Sequence, residues 1–333
     1  MAITGPASFI PTINEFLAHW QQCNAALAPA SPLLVRLREK NITVARAKLL
    51  EWRDGLQAQQ NVLTAKSTDL QLARASIVEQ KAVLLACFNQ FTTRLDAFYQ
   101  GTNFYQLRPV APGIGYGQFA FSDPMGDAMT LWNKMNEGPA PAGVTLPLVL
   151  PNAKSHGEFS SLLAALQFAY AEEKAKDQDV ALARGERNRI QKDAYEIMRV
   201  YRETVPDKMA NFPVLLETLP RLTPLPGHTP AGVNASAVFV APNQSKVVYD
   251  ASTDAMLHSY QLRGNVGDDY SDEDAVVIAT HSPTDPMEFV VPFGLNQPGA
   301  KVALKVYVIL TTGNEAGSAA MFVERPAAVP LAA

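Results

Sequence analysis

No proline occurs between residues 33 and 108, and none between 152 and 205, although the 333-residue chain contains 24. Proline removes a backbone donor and clashes with the preceding turn, so helix interiors exclude it. Two such stretches in a proline-rich chain predict long helices, and the prolines elsewhere mark turns and linkers. Four lie between Pro6 and Pro32, seven between Pro109 and Pro151, and thirteen from Pro206 onward.

The first stretch carries an apolar seam. Ile42, Leu49, Leu56, Leu63, Leu70, Ile77, Leu84, Phe91 and Phe98 follow one another at seven-residue spacing. An ideal helix drifts against a seven-residue repeat, so a seam this long implies supercoiling around a partner helix. The position three residues further on is weak, reading Ala45, Trp52, Gln59, Lys66, Ala73, Gln80, Cys87 and Arg94. That pattern fits a helix with several neighbours better than a leucine zipper.

The second stretch repeats the first at an offset of 110 residues. Leu56-Gln57 matches Leu166-Gln167, Ala65-Lys66 matches Ala175-Lys176, Asp69 matches Asp179, and Leu72-Ala73-Arg74 matches Leu182-Ala183-Arg184. Phe91 aligns with Tyr201. This predicts an internal duplication. Both copies are polar in the middle, so each is either one continuous helix of a coiled-coil pair or a hairpin within a four-helix bundle. Only Gly55 and Ser67-Thr68-Asp69 offer a turn, which favours continuous helices. The expected helical domain is 1–220, with long helices at about 33–100 and 155–205. Ser31-Pro32 and Ser155 are the start signals. The Pro/Gly-rich insert 101–154 contains one short helix candidate, Asp123–Asn136, with Pro124 in its first turn.

Residues 221–232 read as a stiff proline-rich linker. Beyond it the apolar period changes to two. Strands are expected at 233–240, 244–249, 257–263, 275–280, 287–292, 301–310 and 318–324, with a tail at 327–333. In the clearest, Val302, Leu304, Val306 and Val308 alternate with Lys301, Lys305 and Tyr307. Seven short strands separated by turn signals predict a β-sandwich. The fold class is therefore α then β.

Particular segments carry a family resemblance. Val247-Val248-Tyr249-Asp250-Ala251-Ser252-Thr253-Asp254 resembles the second strand and following turn of a fibronectin type III domain, with Tyr249 where that family places a core tryptophan. Leu257-His258-Ser259-Tyr260-Gln261-Leu262 is similar to the third strand, with Tyr260 as its aromatic anchor. Val306-Tyr307-Val308 through Gly313-Asn314-Glu315-Ala316-Gly317-Ser318 resembles the last hairpin. Val302 or Leu304 stands where the family has a tyrosine, and the Arg-Gly-Asp loop of some members is absent. The resemblance covers about 225–326 and implies a spacer or interaction module. The whole layout, a duplicated helical region plus one such domain, also looks like bacterial proteins without assigned activity.

Composition excludes several classes. The net charge is −4, with 28 basic against 32 acidic residues, and residues from 221 onward carry 11 acidic and 6 basic side chains. That balance disfavours nucleic acid as a partner. Apolar residues make up 47%, which excludes whole-chain disorder. No apolar stretch is long enough to span a membrane. The first twenty residues lack the basic and apolar regions of a secretory signal, so a cytoplasmic protein is expected. Cys23 and Cys87 are then reduced core thiols.

Candidate chemistry is sparse. The acidic run Gly267–Asp274 offers Asp268, Asp269, Asp272 and Asp274 as a weak calcium set, without the ligand order of an EF-hand. A solvated loop is the simpler reading. His19, His156, His228, His258 and His281 form no paired metal spacing. Gly113-Ile114-Gly115-Tyr116-Gly117 lacks the ending of a phosphate loop and reads as a turn. Arg184, Arg187, Arg189 and Lys192 read as a solvated basic face. No catalytic or cofactor-binding residues are expected. The leading expectation is a non-catalytic structural protein that self-associates and docks protein partners. One alternative is a surface-exported carbohydrate binder with an aromatic platform of Tyr260, Tyr270 and Tyr307. A more remote one is an enzyme built around Tyr105, Arg108, Tyr116 and Asp123 in the insert.

Overall fold

A computed structural model describes residues 2–37, 40–151 and 154–326. The expected tail, 327–333, lies outside the described residues. The helices are α1 (Phe9–Leu27), α2 (Arg46–Phe98), α3 (Asn103–Gln106), α4 (Gln118–Glu137), α5 (His156–Lys208) and α6 (Pro213–Glu217). α2 and α5 are each 53 residues long and continuous. The Ser67-Thr68-Asp69 triplet makes no turn, and Thr68 returns its hydroxyl to the Thr64 carbonyl inside the helix.

The first long helix starts later than the expected residue 33. Val35–Leu37 (β1) and Ile42–Val44 (β2) pair antiparallel instead. β-branched residues favour the extended backbone there, and Asn41 turns the ribbon at a positive φ of 50°. Ile42 therefore leaves the seam, which begins at Leu49. Leu49, Leu56, Leu63, Leu70, Ile77, Leu84 and Phe91 are all buried. The companion buried position lies mainly four residues after the seam, at Gln60, Lys81, Phe88 and Leu95, with Cys87 buried three residues after it. Ser155 begins α5 as expected: its hydroxyl accepts from the Glu158 N–H, and its own N–H donates to the Glu158 carboxylate. Pro124 lies inside α4, because that helix begins five residues before the expected start.

The chain packs into two compact units, 1–68 with 180–333, and 69–179. These do not follow the expected boundary between helices and sandwich. In the first unit, α1, the ribbon and the early part of α2 pack on the late part of α5 through Phe16, Trp20, Val35, Leu56, Ile197 and Tyr201. In the second, α4 and the early part of α5 pack on the late part of α2 through Trp132, Phe121, Phe159, Leu166, Phe88 and Phe91.

The two helical cores are built from equivalent parts. Trp20 Nε1 donates to the Leu33 carbonyl at 3.1 Å, and the Leu33 N–H donates to Asn24 Oδ1 at 2.9 Å. Trp132 Nε1 donates to the Leu148 carbonyl at 3.1 Å, and the Leu148 N–H donates to Asn136 Oδ1 at 2.7 Å. Trp20 packs on Tyr201 at 4.6 Å between centroids, and Trp132 packs on Phe91 at 5.1 Å. Phe91 and Tyr201 are the pair matched by the 110-residue offset. The duplication thus extends over α1-α2-α3 and α4-α5-α6. Each core joins the front of one copy to the back of the other.

The sandwich belongs to the first unit. Its strands are β3 (Ala235–Ala241), β4 (Gln244–Tyr249), β5 (Leu257–Val266), β6 (Val276–His281), β7 (Glu288–Pro292), β8 (Lys301–Leu310), β9 (Glu315–Gly317) and β10 (Met321–Glu324). One sheet has the order β3-β4-β7, and the other β10-β8-β5-β6 with β9 also on β8. All pairs are antiparallel. Val302, Leu304, Val306 and Val308 face the core as the alternation predicts, with Tyr249, Tyr260, Leu262 and Phe289. Tyr249 is buried in this core, with its ring 4.9 Å from Tyr260 and 5.1 Å from Phe289.

Candidate docking interface

On β5 the residues that point away from the sandwich core, Ser259, Gln261 and Arg263, are buried as well. A sheet face open to water would leave them exposed, so this face is covered. The cover comes from the chain's start and from the proline-rich segment. The Ile3 N–H donates to the Leu222 carbonyl at 2.9 Å, and the Leu225 N–H donates to the Thr312 carbonyl at 2.9 Å. Asn314 Nδ2 donates to the Leu225 carbonyl at 3.1 Å. The segment read as a linker is therefore fastened to the last hairpin.

Under this cover lies a charged network. Arg263 forks onto Glu315 at 2.8 and 2.5 Å, onto Gln261 Oε1 at 3.1 and 2.9 Å, and stacks 4.1 Å from the Tyr307 ring. The Tyr307 hydroxyl donates to Asp272. Burial, helped by Asp272, pushes the Tyr307 hydroxyl up to about 12. Lys305 lies 4.4 Å from the Tyr270 ring, and burial pushes that phenol up too. A cleft of about 580 Å³ opens beside the network, between Thr4, Pro6, Arg263, Glu273, Tyr307 and Glu315.

The acidic run and the basic stripe meet. Arg184 grips Asp274 with two bonds, at 2.8 and 2.5 Å. Arg187, only 2% exposed, donates from Nη1 to the Glu273 carbonyl at 2.5 Å and lies 3.6 Å from Asp274 Oδ1. Burial pulls the Arg187 guanidinium below its ordinary value, and Asp274 and Glu273 oppose that shift. A buried guanidinium is tolerated only when paired and hydrogen-bonded. Neither run is the solvated face expected of it at Arg184, Arg187 and Asp274. Arg189 turns instead to Glu186 and Asp193, and Lys192 is exposed.

The calcium set does not converge. Asp272 faces Tyr307 and Lys305, Asp274 faces Arg184, and Asp268 and Asp269 are exposed. Among the described residues, no group of three metal-ligating side chains comes together. The aromatic platform is not assembled either, since Tyr260 is in the core and Tyr307 is buried under the cover. In the insert, Arg108 pairs with Asp96, and Tyr116 is exposed against Gly113. The Gly113–Gly117 turn presents its Ile114 and Tyr116 carbonyls to Lys81 Nζ at 3.3 and 2.6 Å. That polarity suits a cation and opposes a phosphate.

The histidines serve local contacts. His156 bonds the Met129 carbonyl, His228 pairs with Asp254, and His281 stacks on Phe289. His258 is exposed. His19 is buried, with Nε2 donating to the Leu215 carbonyl at 2.7 Å. Nδ1 then accepts from the Tyr201 hydroxyl at 2.7 Å, and Cys23 Sγ lies 3.4 Å from that hydroxyl. The residues beside the matching tryptophan, Leu131 and Met135, leave the second core apolar. No spacing in the sequence signals this cluster.

No family model matches the chain, and no curated protein matches its sequence. Solved structures similar to part of it include an Fn3-like protein from Clostridium thermocellum, at 19% identity over 31% of this chain and 99% of that one, with a TM-score of 0.24. The fn3 domain of human contactin 1 matches at 17% over 32% and 86%, with a TM-score of 0.25. A human FNIII domain matches at 22% over 32% and 87%, with a TM-score of 0.26. The C-terminal third is a fibronectin type III-like sandwich on the strength of its own strand order. No helix among the described residues is long and apolar enough to cross a membrane.

Proposed function

We propose that this chain is a non-catalytic, cytoplasmic structural protein that self-associates through its surface and uses its sandwich as a docking module. The observation that carries this reading is the docked sandwich itself. One sheet face and the acidic loop are committed to a built interface with α5 and the chain's start, centred on Arg187 and Asp274. The charged groups at the interface and its cleft are engaged with one another: Arg263 with Glu315, Asp272 with Tyr307, and Asp274 with Arg184. Such groups position surfaces and do not offer a nucleophile and base. The acidic balance of the sandwich supports protein over nucleic acid as the partner. Sedimentation velocity across a hundredfold concentration range tests the proposal. A mass that rises with concentration is expected. A monomer at every concentration would overturn self-association.

A further inference from the structure

The helical duplication gives each unit an equivalent face, one of them docked and the other exposed. In the first unit, Gln191 holds the segment before α1 by donating to the Pro6 carbonyl at 3.3 Å. The sandwich rests on that segment and on Arg184 and Arg187. In the second unit, Lys81 stands at the position equivalent to Gln191 and holds the segment before α4 through the Tyr116 carbonyl. Arg74, Ile77 and Val78 are equivalent to Arg184, Arg187 and Asn188. The surface there is exposed and apolar. Val78, Ile114, Tyr116 and Phe119 are between 48% and 77% exposed. Val78 lies one turn before Lys81 on the same side of α2, so it adjoins the segment that Lys81 fastens.

The chain has a second bare apolar surface. Val238, Val240, Val248 and Val290, on the outer side of the β3-β4-β7 sheet, are between 45% and 56% exposed. Lys246 stands between Val238 and Val290 in the register, and its ammonium is drawn to Glu288 at 2.7 Å. This is the sandwich face not used in the internal dock.

We infer that the bare face around Ile114, Tyr116 and Phe119 takes the β3-β4-β7 sheet of a second copy of this chain. The inference rests on the self-association proposed above. The occupant is argued from the equivalent face, which receives the other sheet of this sandwich, β10-β8-β5-β6, and from the apolar surface that the β3-β4-β7 sheet exposes. Two different surfaces meet, so the contact is heterologous, and each copy keeps one surface of each kind for the next.

The test uses the full-length chain and sedimentation velocity. The variants are Tyr116→Asp with Phe119→Asp on the helical face, and Val238→Lys with Val290→Lys on the sheet. Each alone is expected to weaken association about tenfold or more, as loss of an anchoring contact does. Mixed in equal amounts, they are expected to form a dimer that grows no further, because each supplies the surface the other lacks. If either variant fails to fold by circular dichroism, Val78→Lys or Val248→Lys replaces it. A wild-type chain that stays monomeric overturns both self-association and this inference. Wild-type association that either variant leaves intact, or a mixture that remains monomeric, overturns the inference alone.

Discussion

Lys81 and Gln191 occupy equivalent positions on α2 and α5, and each fastens the segment leading into a short helix. Lys81 Nζ donates to the Tyr116 carbonyl at 2.6 Å, and Gln191 Nε2 donates to the Pro6 carbonyl at 3.3 Å. Lys81 also lies 5.2 Å from the Phe121 ring and 5.7 Å from that of Tyr170. Charged bonds are roughly twice as strong as neutral ones. Lys81→Ala should therefore cost about 1–3 kcal/mol and Gln191→Ala about 1 kcal/mol. Urea midpoints of the two variants check the order.

Asp274 and Glu273 together make the buried Arg187 tolerable. Asp274→Asn takes away the carboxylate 3.6 Å from that guanidinium and the partner of Arg184, while Glu273 keeps its own at 3.4 Å, so the cost is about 3 kcal/mol. The sandwich should then loosen from α5 before the helices melt. Limited proteolysis should show faster cleavage within 221–232 while helical circular dichroism holds.

Asn24 and Asn136 do the same task in separate cores. Replacing either by alanine strands a backbone N–H, that of Leu33 or Leu148, at about 1–3 kcal/mol. The two costs should be similar and should add in the double variant, because the sites share no partner. Thermal unfolding of the three variants measures both points.

Tyr307 and Tyr249 are each pushed up to about 12, chiefly by burial. Raised phenol values mean that the folded chain holds its protons longer than the unfolded one. The associated stability is complete below about pH 10 and is lost as the pH rises towards 12. Tyrosinate absorbance at these two residues should therefore appear together with loss of the sandwich's folded signal. Ionisation at pH 10 with the fold intact would contradict the burial.

Cys23 and Cys87 are both buried, and desolvation raises their thiols. The thiolate is the reactive form. Neither should react with a water-soluble aromatic disulfide in the native state, and both should react in denaturant.

Much of the architecture is legible in local chemistry. The long helices follow from proline exclusion and a seam whose members from Leu49 to Phe91 are buried. β4 and β8 fall at their expected limits, because alternation and turn residues are local signals. α1 escapes such reading, since prolines flank and enter it while its burial depends on Tyr201 and Leu56, far away in sequence. The same distance hides the His19–Tyr201 pair. It also hides the meeting of Arg187 with Glu273, because a basic helix face and an acidic loop each look solvated when read alone.

By itself, the sequence determined the two long helices, their duplication and the strands of the sandwich, because helix exclusion, apolar period and turn chemistry act over a few residues. Tertiary structure decided which halves of the two copies share a core, and that the proline-rich segment fastens the sandwich instead of spacing it. Those outcomes depend on long-range burial. A buried arginine must find its carboxylate, and an apolar half-helix must find a partner, wherever the chain brings one.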